Sequence, residues 1–258
     1  MSSPAAPPAA PSPAAPSPAA PSPAAPSPAA PPGIRLPSRR GLPPGTRLQY
    51  LDVTWAEYRA LRDDPAADGL KLTYDGPTGL LEVEMPHGPR HESISRLLYT
   101  LILTFRQHGG PAFWPTGAVT LSRDDVARGL DCDESFYFGS LDGAPDLDAD
   151  TLDLSGGLRP PDVAAEVDVT SPGVAKLPLY AALGVPEVWG WDEPTHTLTC
   201  RRLTGDGGYE ETDRSGALPG FPLAVAAELI RDRGGRDAGE LEAAFAERLR
   251  TDAPPHAG

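Results

Sequence analysis

The chain has 258 residues, enough for one sizeable domain or two small ones. Its net charge is −14 and it has no run rich in lysine or arginine, so any nucleic-acid function carries the burden of lacking a basic footprint. The longest strongly apolar run, Leu98 to Phe105, is far short of the roughly 20 residues that span a bilayer, and Cys132 and Cys200 have neither metal spacing nor a disulfide framework. These features fit a soluble protein of a reducing, cytoplasmic compartment.

Residues 1–32 repeat proline, serine and alanine without charge or any large apolar side chain in the repeat. Such a segment has nothing to bury and reads as an extended, disordered spacer through residue 44, or as a docking site for a proline-binding protein partner. It is not a secretory signal, because it lacks a basic start and an apolar core. The expected folded domain covers residues 45–233, followed by a C-terminal helix and loose tail over residues 234–258.

"DVTWAEYRALRDD" predicts a short helix, with Thr54 and Glu57 as a capping box. "LKLTYDGPTGLLEVEMP" predicts two strands around a turn at residues 75–77. "RHESISRLLYTLILTFRQHGG" is the clearest helix: Ile94, Leu97, Leu98, Leu101, Ile102 and Phe105 share one face, and Gly109-Gly110 ends it. "PAFWPTGAVTLS" reads as one strand. "DESFYFGS" reads as another, with Phe136 and Phe138 on one face and Asp133, Ser135 and Tyr137 on the other. Residues 139–161 read as a long loop.

Next comes "PPDVAAEVDVT", a strand, then a helix with Pro178 in its first turn and Gly184 closing it. "PEVWGWD" and "HTLTCRRL" are strands, and "GYEET" is a candidate third. Two helices, "FPLAVAAELIRD" and "DAGELEAAFAERLR", finish the chain. A crossover long enough for parallel pairing lies between residues 162 and 191. The fold class is α/β, one domain with a central mixed sheet.

The strand of residues 162–168 alternates valines with Asp162, Glu166 and Asp168, which places the carboxylates on one face. Two solutions to their repulsion stay open: the charges remain solvated, or a divalent cation gathers them. Asp162, at the strand start, is read as solvated. "DCDESFYFG" brings Asp131 and Asp133 to the start of another strand. An Asp, a Glu and a nearby lysine form the set that metal-dependent phosphodiester cleavage uses, with Lys176 orienting water. Lys176 also reads as an ordinary helix-start lysine. The chain's other lysine is Lys71.

In order along the chain, "YDGPTGLLEVEMP", "RHESISRLL", "DCDESFYFG", "AAEVDVTSPGVAKLPLYAALGVPEVWGWD" and "YEE…LPGFPLAVAAELI" resemble the Uma-type restriction endonuclease family, a branch of the PD-(D/E)XK nucleases. The resemblance spans about Leu51 to Asp232. It implies a restriction-endonuclease-like fold and a Mg²⁺-dependent endonuclease (Mn²⁺ being an alternative) acting on DNA. Asp133 matches the metal-binding Asp, Glu166 the acidic residue of the (D/E)-x-K step, and Lys176 the lysine from the following helix. Three residues depart from the pattern. Cys132 replaces a proline, Asp168 stands at the x-K position as a further metal ligand or a partner for Lys176, and Leu72 replaces a strand Glu for which Glu82 is a poor substitute.

His91, on the inward edge of the long helix, is either a packed first-turn residue or a catalytic neighbour of the carboxylates. His87, His108, His196 and His256 read as loop or surface residues. No Ser/His/Asp triad or glycine-rich phosphate loop appears. The expected catalytic residues are therefore Asp133, Glu166, Lys176 and His91, and the metal ligands Asp133, Glu166 and Asp168. Glu166→Ala is expected to stop cleavage with the fold near intact. A homodimer is a fold-level expectation, since cutting two strands takes two sites. The alternative is a catalytically silent nuclease-fold module that acts through a partner.

Overall fold

The computed structural model describes residues 34, 36, 41–168 and 176–251. The proline-rich repeat and the final "DAPPHAG" lie outside the described residues. The chain alternates strands and helices around two six-stranded mixed sheets where one was expected.

The first sheet contains β1 (Arg47–Tyr50), β2 (Lys71–Asp75), β3 (Leu80–Glu84), β5 (Thr120–Arg123), β6 (Arg128–Asp131) and β8 (Thr151–Asp153). The second contains β4 (Phe113–Pro115), β7 (Glu134–Phe138), β9 (Val163–Asp168), β10 (Glu187–Asp192), β11 (Thr197–Leu203) and β12 (Tyr209–Thr212). Their spatial orders are β1-β3-β2-β6-β5-β8 and β12-β11-β10-β9-β7-β4. β9 and β10 pair in parallel through the expected crossover, as do β5 and β8; the other pairings are antiparallel.

The five helices are α1 (Trp55–Arg62), α2 (Pro89–Gln107), α3 (Leu177–Leu183), α4 (Leu223–Arg231) and α5 (Ala238–Thr251). The Thr54/Glu57 capping box forms at α1. Pro178 sits in the first turn of α3, where its missing N–H costs nothing, and Gly184 closes the helix in the left-handed region. The apolar stripe of α2 packs with α4, α5, Phe136, Val163 and Trp189 on one face of the second sheet. Leu241 and Phe245 bring α5 into that same core. The opposite face contributes Tyr137, Ala164 and Val188 to a core shared with α3 and with Leu121 and Leu130 of the first sheet. The far face of the first sheet is closed by Tyr58 and Leu61 of α1 against Leu72, Tyr74 and Val83.

The expected single strand over residues 111–122 is two strands in different sheets. Pro115 offers no ladder donor, and Gly117 turns the chain at φ 67°. β1, β6 and β8 are only three or four residues long, too short for a pattern to announce them, and β8 interrupts the segment read as a loop. Gly129 in β6 has no alternative, because a Cβ there would collide with the Tyr58 ring.

Candidate active site

The site lies where β7 and β9 run antiparallel. Glu134 pairs with Ala165, and the Asp133 N–H donates to the Ala165 carbonyl at 3.2 Å. The next residue along each strand is then a carboxylate, and Asp133 meets Glu166 across the ladder. Both are buried, as are His91 and Lys176. The alternation expected for β9 holds for the strand itself, since Val163, Ala165 and Val167 enter the core under α2 while Ala164 enters the other.

Each carboxylate is fully engaged by donors. Asp133 Oδ2 accepts from the Val167 N–H at 2.6 Å and from His91 Nε2 at 2.9 Å, and Oδ1 accepts from Lys71 Nζ. Glu166 Oε2 accepts from Lys176 Nζ at 2.9 Å, and Oε1 from the Tyr180 hydroxyl. Lys176 also donates to the Asp131 carbonyl at 3.2 Å. Lys176 caps α3 and Tyr180 lies one turn on, so a single helix end delivers both groups to Glu166.

Burial, aided by the nearby charge of Lys71, pushes the His91 pKa down to about 3. The imidazole is therefore neutral at pH 7, and as the partner of a carboxylate oxygen its Nε2 must carry the proton. His87 stacks on it at 4.2 Å and bonds Glu84 at 3.2 Å, so His87 is a packed neighbour of the site rather than a surface residue. Burial works against the Lys176 charge, but Glu166 outweighs it and raises the pKa. Burial and Glu166 together hold the Tyr180 hydroxyl well above its ordinary value, which keeps it a donor.

The expected residues Asp133, Glu166, Lys176 and His91 thus come together. Asp168 ends β9, and the structure does not bring it into a three-ligand group with Asp133 and Glu166: among the described residues no three His, Cys, Asp or Glu side chains are arranged to hold a metal. Asp162, read as solvated, instead accepts from the Phe138 N–H at 2.7 Å and from Arg159 at 2.7 Å, and ties β7 to the start of β9. Leu72 is buried in the first sheet's core, and Glu82 on β3 bonds Gln49 and sits by Arg47, both on the edge strand β1. Lys71 and Tyr180 were not identified from the sequence. The rarity of lysine points to the first, and the four-residue spacing from Lys176 to the second.

Mg²⁺ takes only one or two protein carboxylates and keeps waters. The adjacent Asp133 and Glu166 fit that requirement by donor type, although lysines now engage them. A cavity of about 900 Å³ adjoins the site, and its lining includes Lys71, His87 and Cys132 together with Asp63, Asp64 and Asp68.

A mixed α/β fold with lysine-paired carboxylates on neighbouring strands is the make-up of the restriction-endonuclease-like nucleases. Within that class the chain belongs to the Uma2 family, described as "Putative restriction endonuclease", whose model matches residues 55–228. It is similar to the crystal structure of a "putative nuclease belonging to DUF820" from Anabaena variabilis ATCC 29413, with 16% identity over 73% of this chain and 98% of that one, at a TM-score of 0.43. No curated protein matches the chain. No helix among the described residues is long and apolar enough to cross a membrane.

Proposed function

We propose that the protein is a divalent-metal-dependent endonuclease that hydrolyses phosphodiester bonds in DNA, with Mg²⁺ as the working ion, Mn²⁺ as a substitute and a cytoplasmic location. The observation that carries this reading is the meeting of Asp133 and Glu166 across β7 and β9, with Lys176 on Glu166. Asp133 and Glu166 are the residues to hold the ion, and Asp168 is a further ligand through water. The ion, when bound, polarises the phosphate and steadies the leaving oxygen.

The chain's own groups do the positioning. The Val167 N–H and His91 Nε2 fix one edge of Asp133. Lys176 keeps its charge beside Glu166, where it can orient a water for attack on phosphorus and offset charge that develops there. Tyr180 holds the second Glu166 oxygen, which keeps that carboxylate correctly turned. We place this activity in residues 45–233, with the C-terminal helix packed on them, and assign the working form as a homodimer with one site per strand.

A second reading, the silent binding module, draws on one observation. Arg90, Arg96, Arg201 and Arg202 each face a glutamate, and Arg106 donates to the Gly110 carbonyl, so none of these arginines adds to a free basic surface. Cleavage of supercoiled plasmid at low salt with Mg²⁺ and then Mn²⁺ decides between the two. Nicking or linearisation by wild type and none by Glu166→Gln is expected. Intact plasmid with wild-type protein, together with no metal-dependent rise in melting temperature, would leave only the binding module.

A further inference from the structure

Twenty-two residues of the chain are basic, yet only Lys71 and Lys176 are lysines, and both lie in the site. Their side chains are 16% and 9% exposed. Everywhere else the chain uses arginine, a planar fork suited to static pairing; lysine is a compact charge on a flexible stem. Lys176 has an assigned role at Glu166, whereas Lys71 has none. It reaches from β2, in the other sheet, to Asp133 Oδ1. Oδ2 is already taken by the Val167 N–H and His91. Oδ1 is thus the edge an incoming cation would use, and an ammonium already sits on it. Lys71 also borders the cavity that adjoins the site.

We propose that Lys71 is a tethered cation that occupies the metal-binding edge of Asp133 and is exchanged for the divalent ion as the site loads, its ammonium then turning to a phosphate of the substrate. This rests on the metal-dependent nuclease reading. The exchange couples the two ligands. A divalent ion arriving alone must detach the Lys71 ammonium from Asp133, whereas an ion arriving with DNA brings a phosphate to which that ammonium can pass. The protein therefore binds metal weakly without substrate and more strongly with it, by linkage.

The test uses the full-length protein and two binding measurements: Mn²⁺ by calorimetry, and a fluorescent DNA duplex by anisotropy in Ca²⁺. Lys71→Met removes the competing charge and is expected to bind Mn²⁺ about tenfold more tightly than wild type. The same variant is expected to bind the duplex about fivefold more weakly, because it lacks a phosphate contact. A purely structural role for Lys71 would not move the two affinities in opposite directions. Lys71→Arg keeps the charge and should not gain Mn²⁺ affinity. If Lys71→Met does not fold, Lys71→Gln keeps a donor for Asp133 without the charge and is read in its place. Equal or weaker Mn²⁺ binding by the uncharged variant, or undiminished duplex binding, would overturn the exchange while leaving the nuclease reading standing. Absence of Mn²⁺ binding by wild type and every variant would remove both.

Discussion

Glu166 and Glu187 are buried carboxylates on the neighbouring parallel strands β9 and β10, at 6% and 1% exposure. Glu187 Oε1 accepts from the Gly216 and Ala217 N–H groups, and Oε2 accepts from the Ser215 hydroxyl and the Trp189 indole. These donors are neutral and belong to the backbone or to rigid side chains, and they staple the 215–217 turn to β10. Glu166 is held by an ammonium and a phenol, both brought by one short helix. Burial and saturation are common to the two. What separates them is that one partner of Glu166 carries charge, which on the nuclease reading proposed above is the mark of a reactive carboxylate rather than a stapling one.

The contrast is broken most sharply by neutralising Glu166. Glu166→Gln is expected to lower plasmid cleavage by about a thousandfold, roughly 4 kcal/mol in the barrier. The fold does not stay untouched, contrary to the simpler expectation for a wet carboxylate. Lys176 is left buried without its counter-charge, at a cost of about 3 kcal/mol in urea unfolding. The double variant Glu166→Gln/Lys176→Met should recover most of that stability and none of the activity, a non-additivity that a double-mutant cycle reads directly.

Glu187→Ala is the mirror case. It strands five donors, the Cys200 thiol at 3.5 Å among them, and should lower stability by about 3 kcal/mol, with cleavage per folded molecule unchanged. The neighbouring Cys200 thiol, pushed up to about 12 by burial and by Glu187, should become easier to alkylate in that variant, which a timed iodoacetamide reaction measures.

Glu84 lies between the two types, bonded to His87 and Arg47. Burial alone would raise its pKa, but those two partners overcome it and hold the carboxyl at about 2. A depressed carboxylate stabilises the fold fully above its unfolded value, near 4.5, and loses that contribution as pH falls toward 2. Glu84→Gln should therefore flatten the acid limb of the stability curve between pH 4.5 and 2, by up to about 3 kcal/mol. Smallest of all is Tyr58→Phe. The Tyr58 hydroxyl is buried with no hydrogen-bond partner among the described residues. Its removal should change the melting temperature little or raise it slightly, a shift worth up to about 1 kcal/mol.

Much of this was legible in the sequence where one residue pattern had one structural use. The α2 stripe, the Thr54/Glu57 box and the Pro178/Gly184 pair marked their helices because each satisfies a local backbone need. Asp133 and Glu166 could be paired in advance because both stand at strand positions in a resemblance carried by several ordered motifs. The division into two sheets was hidden, since β4 and β5 are separated by only four residues, 116–119, and nothing in their composition says they join different partners. Lys71 escaped for a related reason: β2 gives no hint that its first residue reaches Asp133, just ahead of β7 in the other sheet. Tyr180 reads as an ordinary helix aromatic until β9 is seen beneath it.

The scarcity of lysine makes the site accessible to spectroscopy. Reductive methylation with ¹³C-formaldehyde labels ammonium groups and leaves the arginines silent. Apart from the amino terminus, a fully labelled chain carries its only side-chain probes at Lys71 and Lys176, so its carbon spectrum would contain two resonances, one on each carboxylate of the site.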